Sequence, residues 1–365
     1  MDRRIFLKTG AALPLAAALP RLASAQQLPF DPQPGAWRTF EITTRVEILK
    51  PAGVTRVWLP APVVEDGSQK PLDNSWAGNA SEMRLTHDGK HGAAIFCAEW
   101  PAGEAAPTVE LTSRCMTRNR MANLSKADPS LRLDAADVKF YTAPTDYQPT
   151  GGIVKKTALE ITKGAKTDVE KARVLYEWIV DNTERNPKTR GCGVGDIKAM
   201  LETGNLTGKC ADLNALYVGL ARAVGLPARD IYGIRVAKSN FGYRSLGAGT
   251  ENVTRAQHCR AEVFLNGYGW VPADPADVRK VVLEEKPQPT TLADPLVPPV
   301  RQKLFGAWEM NWLGFNTAHD VALPGSTGAK LAFFMYPQAE SANSRLDPLD
   351  PDNFKYTITA RELKA

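Results

Sequence analysis

The hydrophobic pattern of this chain changes period partway along, and that change constrains the fold more than any other feature. From residue 37 to about 122, short β-rich runs (FEITTRVEI, VTRVWLPAP, AAIFCAEW and VELTSRCMT) are separated by Gly, Pro and Asn clusters. Runs of this kind predict an antiparallel, sandwich-like β-domain. Residues 123–150 are rich in Asp, Pro and Thr, have little periodicity and read as a linker. From about 151 the period becomes helical. Thr167-Asp168-Val169-Glu170 has the form of a capping box and opens a segment with Val174, Leu175, Trp178 and Ile179 on one face. An amphipathic helix is expected from about 209 to 224, stopped by Gly225 and Pro227. Strand-like runs return at DIYGIRVA, HCRAEVFL and GWVPAD. The first two are joined by a long, glycine-containing loop at 238–256, readable as a cleft wall or lid, or else as a surface insertion. Beyond about 285 the chain is proline-rich, then places Phe305, Trp308, Trp312 and Phe315 at heptad-like spacing, which reads as a packing face. The fold class expected is α+β. Four segments are expected: an export signal at 1–25, a β-sandwich-like domain at 26–145, a core at 146–285, and a C-terminal extension at 286–365 packing on that core.

The opening residues, MDRRIFLKTGAALPLAAALPRLASA, read as an address. Arg3-Arg4 precede a short apolar stretch and then Ala23-Ser24-Ala25, a small-residue pattern suited to cleavage. The apolar part runs for about a dozen residues, short of the roughly 20 that a membrane span needs. The RR-x-F-L-K arrangement resembles a twin-arginine export signal; an ordinary secretory signal is the alternative. Either predicts a periplasmic or secreted protein with no membrane anchor after cleavage. Those 25 residues also hold four basic and one acidic side chain of a total of 45 and 40, so the rest carries 41 and 39. A balance that even gives no support to a nucleic-acid partner.

Five cysteines occur: Cys97, Cys115, Cys192, Cys210 and Cys259. In an oxidising compartment an odd number leaves at least one thiol over. Cys97 and Cys115 lie in successive predicted strands, so a cross-strand disulfide or two buried thiols are both open. Cys192 and Cys259 are open to the same pair of readings. Cys210 is the distinctive one. It follows Gly208-Lys209 and sits at the first turn of the predicted 209–224 helix, where unpaired N–H groups and the positive dipole end favour a thiolate. His258 falls on a later strand and Asp274 at the end of the strand after that. Cys, His and Asp can serve as nucleophile, base and orienting group. A Cys3His zinc site from Cys192, Cys210, His258 and Cys259 is disfavoured, because no CxxC spacing exists and adjacent strand residues point to opposite faces. No cofactor motif is present.

GKCADLNALYVGLARAVGLPARDIYG, followed by QHCRAEVFL and GYGWVPADPAD, resembles the transglutaminase-like superfamily of papain-like cysteine enzymes, and with the upstream GCGVGD segment its exported bacterial members. The resemblance covers about 150–280. It implies a core in which the nucleophile's helix packs on an antiparallel sheet bearing His and Asp, and it maps the three catalytic positions onto Cys210, His258 and Asp274. It also implies a reaction at an amide bond of a peptide or protein substrate through a thioester, ending in hydrolysis (peptidase or amidase) or in acyl transfer to an amine. A catalytically silent peptide-binding or assembly scaffold is the alternative. One departure is Cys259, where relatives commonly carry an aromatic or small residue after the histidine.

Strand arithmetic supplies a test independent of any family. If the turn after Leu265 is a two-residue Asn266-Gly267 hairpin, Asp274 falls beside Cys259, on the wrong face for His258. A three-residue loop centred on Gly267 instead sets Asp274 opposite Arg260 and diagonal to His258, within reach of it. The odd loop, or a bulge, is therefore predicted.

Overall fold

The computed structural model describes residues 29–289 and 291–364. The proposed signal at 1–25 lies outside the described residues. The strands that matter are β1 (Arg38–Ile48), β2 (Thr55–Ala61), β3 (Gln69–Gly78), β4 (Glu82–His87), β5 (Ala94–Trp100), β6 (Thr108–Thr117), β7 (Ala228–Arg235), β8 (Gln257–Leu265), β9 (Gly269–Ala273), β10 (Trp312–Asn316), β11 (Gln338–Ser341), β12 (Ser344–Leu346) and β13 (Phe354–Leu363). The main helices are α1 (Gly152–Ile161), α2 (Asp168–Asn182), α3 (Cys210–Ala223) and α4 (Pro275–Glu284).

The alternating runs of the N-terminal third fold as two antiparallel sheets face to face, ordered β13-β1-β6-β3 and β12-β11-β2-β5-β4. Val46, Ile48, Val109 and Leu111 of the first sheet share one core with Val57, Leu59, Phe96 and Trp100 of the second. β3 and β4 carry no clear alternation because each is an edge strand with a mostly exposed pattern. Pro71 is tolerated in β3 at an edge, where the register with β6 shifts between Pro71 and Asn74. β5 and β6 do not pair with each other. Cys97 and Cys115 therefore lie in different sheets, both as buried free thiols, and the cross-strand disulfide is excluded.

The C-terminal segment departs from expectation. Within it, β10 joins the core sheet beside β7. The remainder returns to the N-terminal sandwich, where β13 pairs with β1 from Thr39↔Leu363 to Ile48↔Phe354, and β11 pairs with β2. Alternation in β13 (buried Phe354, Ile358 and Ala360) fits it to a half-buried sheet rather than to a helix-covered core. The aromatic stripe is also corrected. Phe305, Trp308, Trp312 and Phe315 are all buried, but Ala307–Trp308 and β10 are strands, so the spacing of three and four is not helical. The 123–150 linker holds a short helix, Ala135–Thr142, capped by Asp134 and burying no residue.

The core sheet runs β9-β8-β7-β10, entirely antiparallel. α2 opens with the predicted capping box, Thr167 accepting from the Glu170 N–H while the Glu170 carboxylate accepts from the Thr167 N–H. α3 lies between the sheet and the other helices. All fourteen of its residues are buried, so it is a central helix and not the amphipathic one expected. Its one internal cation, Arg222, is satisfied by the Ala228 carbonyl and Gln148 Oε1. Gly225 ends it with φ +84°, and the Leu226 N–H returns to the Ala221 carbonyl. Among the described residues no helix is long and apolar enough to cross a membrane.

Candidate functional site

The β8–β9 hairpin is where the register argument is decided. Leu265 pairs with Gly269 and Ala261 with Ala273, so the connection is the three-residue loop Asn266-Gly267-Tyr268. Gly267 takes φ +83° there, a conformation that favours glycine. Continued one step, this register sets Asp274 against Arg260, the arrangement the odd loop required. His258 Nε2 lies 2.7 Å from Asp274 Oδ2.

Cys210 opens α3, and α3 packs on β8 with Cys259, Ala261 and Val263 turned toward it. The Cys210 sulfur lies among the Cys192 thiol, the Cys259 thiol and the His258 ring, the groups that act most strongly on it. With Nε2 engaged by Asp274, Nδ1 is the ring nitrogen left for the sulfur. Cys210, His258 and Asp274, the three positions singled out in the sequence, are thus brought together, each nearly or fully buried. Interaction with Cys192 and Cys259, followed by His258, holds the Cys210 pKa well below that of an ordinary thiol despite burial, while the Cys192 thiol itself donates to the Gln257 carbonyl at 3.4 Å. The same contact with Cys210, added to burial, pushes both neighbours well above it. Cys192 and Cys259 are free thiols, not a disulfide. Cys259 does point away from the His258 side of its strand, as alternation demands, but toward α3 and hence toward Cys210.

Two carboxylates attend His258. Asp274 makes the short contact and fixes the ring; Asp277 Oδ2 stands 3.4 Å away. Burial alone would lower the His258 pKa. The Asp277 charge, followed by the Asp274 charge and hydrogen bond, outweighs burial and the opposing Arg235, and pushes it up to about 9. Burial tends to raise Asp277 as well, but the Arg235 guanidinium 2.5 Å away, then His258, hold it well below the usual carboxylate range. Asp274 is pushed up by burial and by Asp277, against His258 and Arg260. Asp274 therefore orients the ring, and Asp277 supplies the larger share of the field.

Several supporting residues escaped the sequence reading. Asn214, one turn after Cys210, donates to the Cys259 carbonyl at 2.8 Å and to Asp274 Oδ1 at 3.2 Å, tying the helix to the carboxylate behind His258. Trp312 donates its indole N–H to the His258 carbonyl at 2.8 Å, and Arg260 stacks over the Trp312 ring at 4.7 Å. Asp277 had a signal: Asp274-Pro275-Ala276-Asp277 is a helix start with N-cap, N1 proline and an acid at N3. Asn214 had one too, at i+4 from Cys210.

The glycines of GCGVGD have a defined purpose. Asp212 in the first turn of α3 accepts from the N–H groups of Val194, Gly195 and Lys209, clasping the upstream loop to the start of the helix. A Cβ on Gly193 would lie 1.9 Å from Asp212 Oδ2, and one on Gly208 would lie 2.4 Å from the same atom. Gly208→Ala should displace Asp212, cost about 1–3 kcal/mol and slow alkylation of Cys210. A variant with unchanged melting and alkylation would show that the clasp is dispensable.

As to metals, His258, Asp274 and Asp277 each offer a ligand atom within 4.8 Å of the others, whereas no cysteine set among the described residues does so. Arg235 and Arg260 already face the two carboxylates, so a cation would have to displace two guanidinium charges. Outward from Cys210 opens a cleft of about 730 Å³, with 247–249 and 252–257 forming one wall and Tyr336, Leu349, Phe354 and Tyr356 of the C-terminal segment another. The long loop is thus a cleft wall, held by the Val253 N–H to the Ile358 carbonyl and the Ala360 N–H to the Glu251 carbonyl.

Residues 155–275 match the transglutaminase-like superfamily core. The chain is also 36% identical over 342 residues to an uncharacterised protein of Haemophilus influenzae, covering 89% of this chain and 91% of that one. A crystal structure from Cytophaga hutchinsonii, provisionally assigned as a cysteine protease, superposes with a TM-score of 0.57 at 15% identity over 91% of this chain and 93% of the other. The chain belongs to the transglutaminase-like superfamily, and its fold is that of this cysteine-enzyme group.

Proposed function

We propose that this protein is an exported, periplasmic or secreted cysteine enzyme that acts on amide bonds of a peptide or protein through a Cys210–His258–Asp274 triad. The observation that carries the reading is that Cys210 and His258 line the same open cleft, with His258 held at 2.7 Å by Asp274 behind it. His258 takes the Cys210 proton, and Asp274 fixes the ring and stabilises its charge. The thiolate attacks the amide carbonyl carbon, and the Cys210 N–H, which as the first residue of α3 has no intrahelical acceptor, faces the developing oxyanion. His258 then gives its proton to the leaving amine as the C–N bond breaks, leaving a thioester. Water completes hydrolysis; a second amine completes acyl transfer.

The test is a pair of pH profiles. Alkylation of Cys210, followed by peptide mass spectrometry, should be fast well below pH 8 and should collapse in His258→Ala. Turnover should share that acid limb but also fall through an alkaline limb near pH 9, where His258 loses the proton the leaving amine requires. Alkylation should show no such fall, because the thiolate survives. An inert Cys210 at pH 7 ends the proposal.

A further inference from the structure

The net charge of residues 26–365 is close to balanced, yet the cleft is not. Six cationic side chains line it (Arg185, Arg190, Lys209, Arg235, Arg255 and Lys280), and no Asp or Glu does. Their counter-charges are few. Arg235 is committed to Asp277 at 2.5 Å, and Arg190 to Asp347 at 2.6 Å across an exposed pair. Arg185 and Lys280 share one carboxylate, Glu284, which Arg185 contacts closely and Lys280 reaches only at 3.8 Å. Lys209 and Arg255 have no carboxylate partner among the described residues. Six cations against three partner carboxylates leave an excess of three positive charges along the cleft lining. Burial, followed by the Arg235 charge, lowers Lys280 to about 8, against the Asp277 and Glu284 charges that raise it. The two unpaired cations flank the reacting groups in sequence, Lys209 just before Cys210 and Arg255 three residues before His258.

We infer that this cleft takes an acidic peptide, with carboxylates flanking the apolar side chain that seats it at Cys210. The inference rests on the triad reading for the placement at Cys210, and the cations assign the rest. A low-dielectric groove lined by one sign of charge concentrates ligands of the other, and it rejects a lysine-bearing peptide by unpaired like charge. The aromatic and apolar wall of Tyr336, Leu349, Phe354 and Tyr356 calls for an apolar side chain alongside the carboxylates, which a peptide supplies and a bare polyanion does not.

Binding separates this inference from catalysis. Fluorescent peptides of one length and one apolar anchor, flanked by Asp/Glu, by Asn/Gln or by Lys, are titrated onto the full chain carrying Cys210→Ala. The acidic peptide should bind about tenfold tighter than its neutral isostere, with the lysine peptide weakest, and the advantage should shrink as salt rises. Lys209→Gln with Arg255→Gln should erase the advantage while leaving the neutral peptide's affinity unchanged. Equal affinity for acidic and neutral peptides overturns the inference, as does polyphosphate competing as well as the acidic peptide. Failure of the triad reading shows elsewhere, as slow alkylation of Cys210 in the unmodified chain.

Discussion

Cys210→Ala is expected to drop turnover of any amide substrate by about 10⁴-fold or more while leaving the fold in place. The size follows from the lack of a substitute. Cys192 and Cys259 lie beside the same sulfur, but neither opens a helix as Cys210 does, and burial, which remains when Cys210 is removed, pushes both thiols up, so neither supplies a thiolate near neutrality. The fold should survive because alanine fits the position and removes only one buried sulfur. The cost should not exceed about 2 kcal/mol. Steady-state kinetics beside near- and far-UV circular dichroism would measure both. Residual activity above one part in a hundred, with native spectra, would mean that another group does the chemistry.

Asp277→Ala is expected to have the largest effect on stability, a loss of about 3–5 kcal/mol. Arg235 is 2% exposed, and its other hydrogen bond goes to the Leu246 carbonyl. Without Asp277 its charge stays buried and unpaired. Urea unfolding at pH 7 reads the loss directly, and a change under about 1 kcal/mol would contradict the pairing. Asp277→Asn, which keeps the shape and a hydrogen-bond acceptor for Arg235 but removes the charge, should lose less stability than Asp277→Ala and so leaves more folded protein in which to read the chemistry. The Asp277 charge raises the His258 pKa, so its removal should move the alkaline limb of turnover below pH 9.

What the sequence disclosed here was local. The capping box at Thr167 and the stop at Gly225 each follow from a few adjacent residues, whereas the odd loop at Gly267 followed from the alternation along β8 and β9 that Asp274 needs to reach His258, against the two-residue turn that Asn266-Gly267 suggests by itself. Cys210 was legible because a cysteine at a helix start carries its own chemical reason. Features set by distant packing were not legible. Nothing near Cys192 shows that its thiol closes on Cys210, because the intervening loop is shaped by three N–H bonds to Asp212. Nothing near Arg235 announces Asp277, which comes from another element. The polar edge strands β3 and β4 lack the burial that writes a period into sequence. The return of β11 and β13 to the first sandwich joins segments about 300 residues apart. Strand pairing of that span leaves no local mark.

That return also fixes the order in which the molecule can be completed. Until β11 and β13 are available, β2 and β1 are bare edges of their sheets, and the cleft lacks the wall that runs from Tyr336 to Tyr356. At about 5–20 residues per second, roughly 15–60 seconds of synthesis separate the first strand from its last partner. Closing the sandwich and walling the Cys210 cleft are therefore one event, performed by the same segment, residues 336–363. A ribosome-bound or truncated chain would carry the thiol without the groove that selects what reaches it.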